Sequence, residues 1–328
     1  MEIFNSLLQY LNEHWLLVAF LAPACWSVAN LFDVYFVGQV YRDEFDGSMI
    51  FGLFQVLPLV VLILYFGKTS DWNFTNIDLV PALWLAIGGG FIFLNAFYFY
   101  FKALFAQNDA ALLQILWSLT IVVVPILSFV FFKEILSIRQ YAGMGIVLLG
   151  SFLLSISGVL RAKLSKRYVL IMLGAVVLLS LAMVMEGQAY LLLDQSIGQE
   201  GFKLGFAGFC LGGFLAGLMF AIIGKRNPLI LIKKYAHIFL IIEGVTFLGN
   251  FFSQKALSIS PSVSFVATAE TFVPVFILVF SLFLLWIFYY ILKRNTDFLR
   301  KLYQGQLEGL WFKVMATLIM AFGVYIIN

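Results

Sequence analysis

Asp33, Glu186, Glu243 and Glu270 are acids set within long apolar runs, where an ionised carboxylate is expensive unless it faces a water-filled cavity or a partner. Lys and Arg are nearly absent from the same runs, so no internal set of counter-charges accompanies the four acids. That asymmetry points to a cavity that attracts cations. Such carboxyl groups could also take up and release a proton, which would couple solute movement to a proton gradient. Plainer roles stay open: Asp33 could be solvated at the interface near Arg42, and Glu186 and Glu243 could be neutral core acids bonded to a neighbouring helix.

Trp26 and Trp117 lie within apolar runs, not at their ends. Beside a carboxylate an indole face attracts a bound ammonium by roughly 0.5–2 kcal/mol, although packing alone would also place it there. Asn95 and Asn250 are amides in similar surroundings, able to orient a solute or to bind a neighbouring helix. Cys25 and Cys210 read as small buried hydrophobes. His-Glu-x-x-His, Gly-x-Ser-x-Gly and the phosphate-binding Gly-x-x-x-x-Gly-Lys-Ser/Thr patterns do not occur, and there are only two histidines. The expectation is therefore no enzyme, metal, cofactor or nucleic-acid partner, with energy drawn from a gradient instead of ATP.

The elements that must position these groups are membrane spans. The chain of 328 residues is 63% hydrophobic and 11% charged, with a mean hydropathy of +1.01, which no water-soluble fold matches. Ten runs approach the ~20 residues that a helix needs to cross a bilayer: 15–36, 49–66, 80–101, 110–132, 141–160, 168–193, 204–224, 236–252, 262–291 and 310–327. None alternates as barrel strands do. The first lacks a basic leader and a cleavage pattern, so it is expected to be a permanent span.

Shifting the chain by 153 residues lays Lys102-Ala103-Leu104 on Lys255-Ala256-Leu257, Asp33 on Glu186, Gly52 on Gly205 and Trp117 on Glu270. The expectation is two five-span halves, 1–160 and 161–328, the second upside down because five is odd. Inverted repeats of this kind place a solute site near the midplane. A basic insert at about 287–309, with Lys293, Arg294, Arg300 and Lys301, separates the last two spans. Of the 20 Lys and Arg residues, 15 fall in one alternate set of connections, counting Lys313. The tendency of positive charge to stay inside then puts both termini outside the cytoplasm. Pro125 and Pro274 are expected to kink spans four and nine, and the glycines of span seven to let helices approach closely.

The pattern resembles the ten-helix, EamA-like members of the drug/metabolite transporter superfamily. The resemblance lies in Trp26-Ser27-Val28-Ala29-Asn30, Ala103-Leu104, Pro125, Phe132-Lys133-Glu134, and Gln140 followed by Gly143, Gly145 and Gly150, with Ala256-Leu257 and Pro274 in the second half. Trp286-Ile287-Phe288 stands where the second half should carry a Glu. The resemblance implies an all-α integral membrane transporter, with both termini in the cytoplasm in contrast to the charge count. The function expected is a secondary transporter of a small polar or cationic metabolite or drug in a cell (inner) membrane, working as a monomer or homodimer among lipids. An intramembrane enzyme or sensor acting on a lipid is the alternative.

Overall fold

The computed structural model describes residues 13–66, 79–106, 110–159, 165–198, 200–286 and 309–328. Regular structure among them is entirely helical: α1 (Trp15–Gln39), α2 (Glu44–Phe54), α3 (Val56–Phe66), α4 (Leu79–Ala106), α5 (Ala110–Trp117), α6 (Thr120–Phe132), α7 (Ile138–Val159), α8 (Lys166–Ile197), α9 (Glu200–Ile223), α10 (Pro228–Ile259), α11 (Val263–Glu270), α12 (Val273–Trp286) and α13 (Leu310–Ile327). Six segments are long and apolar enough to cross a membrane: α1, α4, α8, α9, α13 and residues 263–283 taken through the break between α11 and α12. The chain is an α-helical, multi-pass membrane protein. Most of the basic insert, residues 287–308, lies outside the described residues.

Several helix starts are fixed by side chains that satisfy backbone amides unable to bond within the helix. Asp43 Oδ1 accepts from the Phe45 and Asp46 amides at 3.1 and 3.3 Å, Ser165 Oγ from Tyr168 at 3.1 Å, and Asn227 Oδ1 from Leu229 at 3.0 Å. Pro228 then opens α10, where its missing N–H costs nothing. These caps start helices earlier than the apolar runs do: α8 and α10 each have 32 residues, and Lys233 and Lys234 belong to α10. Tyr235, at φ −126° and ψ 16°, kinks α10 between its charged first turns and its apolar remainder.

Three of the expected spans are interrupted. The second divides into α2 and α3 at Gln55, the fourth into α5 and α6 at Ser118-Leu119, and the ninth into α11 and α12 at Thr271-Phe272. The latter two breaks are built alike. Leu119 and Val122 donate to the carbonyls three residues earlier, at Leu116 and Leu119, and Phe272 and Val275 do the same to Ala269 and Phe272. Such tightening within a helix marks a hinge or a strained stretch. In the ninth span the cause is Pro274, which has no N–H to offer the Glu270 carbonyl. In the fourth, Pro125 sits inside α6 after the break, and the local competitor is Ser118, whose hydroxyl binds the Gln114 carbonyl at 2.8 Å and reaches Ser151 of α7 at 2.7 Å.

Packing is most extensive between α4 and α8, followed by α7 with α13, α4 with α9, α1 with α10, and α2 with α9. The α4–α9 contact is made by backbone: a Cβ on Gly90 would overlap the Phe209 carbonyl, and one on Gly212 would overlap that of Ile87. Gly143 and Gly323 play the same part between α7 and α13. This is the close approach expected of small residues between membrane helices.

At one end of the bundle an ion-pair network joins the α1–α2 turn to the α9–α10 turn. Asp46, with a fully buried side chain, accepts from Arg42 Nε and Nη2 at 2.8 and 2.9 Å, and Arg226 pairs with Asp43 and approaches Asp46 at 3.7 Å. Hydrogen bonds to Asp46 hold the Arg42 guanidinium above its ordinary pKa. Arg226→Ala is expected to lower stability by about 2 kcal/mol, since it strips one partner from a buried carboxylate that keeps the other. Arg226→Lys, which keeps the charge, should lose less than half of that; thermal unfolding in detergent reads both.

Candidate functional site

Four helices present one polar or aromatic face each toward a common space. Trp26, Asn30 and Asp33 recur on α1 at i, i+4 and i+7, and Phe93, Phe97 and Tyr100 recur on α4 in the same way. Glu243 and Thr246 stand three apart on α10, and Gln114 and Trp117 three apart on α5. These residues, together with Glu270 at the last position of α11, line a cavity of about 50 Å³.

Seven aromatic residues form much of the wall: Trp26, Phe51, Phe93, Phe97, Tyr100, Phe101 and Trp117. Three carboxyl groups, Asp33, Glu243 and Glu270, share it, and the described lining contains no Lys, Arg or His. Asp33 and Glu243 are half-buried and interact electrostatically across the space, whereas Glu270 is 8% exposed. An enclosure with acidic and aromatic walls and no base can compensate a desolvated organic cation, through charge and through ring faces together.

The walls are held by specific contacts. Trp26 Nε1 donates to Asn250 Oδ1 at 3.1 Å, fixing the indole of α1 against α10. Gly249 makes room for it, since a Cβ there would lie 2.5 Å from Trp26 Cδ1. Trp117 meets Phe97 and Tyr100 edge-on, with centroids 5.6 and 5.5 Å apart. Ser253 Oγ donates to Glu270 Oε1 at 2.6 Å. The Tyr100 hydroxyl lies 2.5 Å from Asn30 Oδ1 and 3.2 Å from Asp33 Oδ2, so two acceptors on α1 compete for one proton. Tyr100→Phe removes that donor from two groups and is expected to cost about 1–2 kcal/mol. An unchanged melting temperature would show that water replaces the hydroxyl.

Five of the eight expected site residues therefore come together: Asp33, Glu243, Glu270, Trp26 and Trp117. Asn250 supports the wall from behind through Trp26. Asn95 turns back on its own helix, with Nδ2 donating to the Phe91 carbonyl at 2.8 Å. Glu186 lies outside the cavity, 2% exposed between α4 and α10. Asn30, Tyr100, Gln114 and Thr246 were not among the expected residues. For Asn30 and Thr246 the signal was helical spacing from residues already singled out, Trp26 to Asn30 and Glu243 to Thr246.

No protein-family model and no curated protein matches the chain. A solved crystal structure of a protein is similar over 96% of this chain and 96% of its own, at 16% identity and a TM-score of 0.60. That likeness concerns the fold alone.

Proposed function

We propose that the chain is a secondary transporter that moves a small polar or cationic metabolite or drug across a cell membrane by alternating access, with a proton gradient as its energy source. The observation that carries the proposal is the cavity inside the helix bundle, in which three carboxyl groups and seven aromatic rings face one space with no basic residue among the described lining. A cation entering it exchanges water for carboxylates and ring faces, and a site enclosed by helices suits passage from one side of a membrane to the other.

The proposal includes two inverted five-span halves and membership of the drug/metabolite transporter superfamily. Its support is that two of the three broken spans, the fourth and the ninth, carry the same hydrogen bonds 153 residues apart, from Leu119 to Leu116 and from Phe272 to Ala269. Trp117 and Glu270, equivalent under that shift, each end the first part of a broken span and each line the cavity. Several of the larger contacts are also reciprocal, α4–α9 excepted, since its counterpart α2–α10 is slight. The first span of either half lies against the third span of the other, as α1 with α10 and α8 with α4, while second meets second in α2–α9 and fifth meets fifth in α7–α13.

The test is flux. Protein reconstituted into vesicles carrying an imposed pH difference is expected to accumulate at least one compound from a panel of primary amines, quaternary ammonium ions and amino acids, and to stop when a protonophore collapses the gradient. Folded protein that moves no member of the panel sinks the cation assignment; flux indifferent to the protonophore removes proton coupling.

A further inference from the structure

Glu186 is a buried acid that the cavity does not use. Its side chain is packed against α4, where a Cβ on Gly89 would come within 2.6 Å of Glu186 Cγ and 3.1 Å of Oε1. Oε2 accepts from Gln254 Nε2 at 2.5 Å, and Gln254 Oε1 in turn accepts from the Tyr190 hydroxyl at 2.7 Å. Among the described residues Oε1 has no hydrogen-bond partner.

The ionisable groups around it are all acids or neutral. Cys210 faces it from α9, Glu270 from α11, and Tyr190 from its own helix. The neighbouring position on α4 is Gly89 and that on α10 is Gln254, while α5 and α6 contain no ionisable side chain. A carboxylate here would be desolvated, lacking a cation and half its hydrogen bonds. A protonated carboxyl group carries no charge to desolvate, which removes the larger of these costs.

Gln254 and Ser253 are consecutive on α10, and they hold two different acids. Ser253 donates to Glu270 in the cavity wall and Gln254 donates to Glu186 outside it. A shift of α10 that frees Glu270 for a solute therefore also moves the donor to Glu186.

We propose that Glu186 is a proton-binding site separate from the solute cavity, and that α10, through Ser253 and Gln254, links its protonation to solute binding at Glu270. The inference rests on the transporter reading for its purpose, but the proton site itself is independent of any solute. When α10 moves, Glu186 exchanges its proton with water on whichever side its surroundings open to, becoming a carboxylate on release and a neutral acid again on uptake.

The experiment is infrared difference spectroscopy on vesicle-reconstituted protein across a pH titration, without solute. Wild type is expected to show a protonated-carboxyl band that disappears as pH rises. Glu186→Gln should lack that band, and Gln254→Met should retain it at a shifted frequency, which keeps the assignment testable if the first variant fails to fold. A band unchanged in both variants overturns the proposal. Binding of tetraphenylphosphonium separates the two sites: Glu186→Gln should change its affinity by less than about tenfold. A larger loss would put Glu186 in the solute site and overturn its separateness. Should wild type not bind tetraphenylphosphonium, the infrared band still decides the proton site.

Discussion

Glu243→Gln is expected to lower affinity for a cationic solute by about 30-fold or more, corresponding to at least ~2 kcal/mol, because it removes a charge from an enclosed site and leaves the shape of the side chain almost intact. The reasoning begins with neighbours. Asp33 is approached by the Tyr100 hydroxyl and Glu270 by that of Ser253, so both carboxyl groups are already partly compensated. Glu243 sits half-buried in the middle of α10 with Asp33 as an electrostatic neighbour, and a cation placed between the two would relieve their mutual repulsion. Asp33→Asn is thus expected to cost less than Glu243→Gln. Equilibrium binding and vesicle uptake of the same compound would read both variants, and wild-type behaviour from each would remove the carboxylates from the mechanism. Melting temperatures should stay near that of the parent, since neither variant empties volume or adds it.

The largest effect on stability is expected from a methyl group. Gly90→Ala places a Cβ onto the Phe209 carbonyl, and Gly212→Ala places one onto the Ile87 carbonyl and 2.7 Å from the Phe91 amide. Both obstacles are backbone, which cannot rotate away as a side chain can, so α4 and α9 must separate along their contact. Overpacking typically costs 1–3 kcal/mol and sometimes more, and these two positions should reach ~3 kcal/mol. Gly145→Ala is the matched control: nothing lies within 4 Å of its added atom, and replacing a mid-helix glycine should stabilise slightly. If all three variants melt alike, the close approach of α4 and α9 is wrong.

The acids of the site were legible because a charge in an apolar run is conspicuous wherever it falls. Tyr100 and Gln114 were not, since one more aromatic or one uncharged amide in such a run carries no signal of its own. Glu186 and Glu270 were both expected at the site, yet one packs beside Gly89 outside the cavity and the other lines it. The periodicity of a helix tells which residues share a face, but not which neighbour that face meets. Asn95 illustrates the same limit, because an amide one turn from a free carbonyl can bond within its own helix, and spacing alone does not say so. Helix breaks divide similarly. Pro274 announces the one at Thr271-Phe272 by its missing donor, whereas the break at Ser118-Leu119 depends on a hydroxyl reaching Ser151 on a helix distant in sequence.

The glycine contact between α4 and α9 has a mechanical meaning. Where the carbonyl of one helix occupies the place a side chain would take on the other, the backbones have little room to slip, and with Phe93 packed on Phe209 the two helices behave as one beam. Phe93, Phe97 and Tyr100 ride on one member of that beam, and the turn carrying Arg226 follows the other. Releasing Arg226 from Asp43 and Asp46 would free one end of a lever whose other arm is the aromatic wall, so force at the surface would reach the cavity as displacement instead of being absorbed by deformation between them.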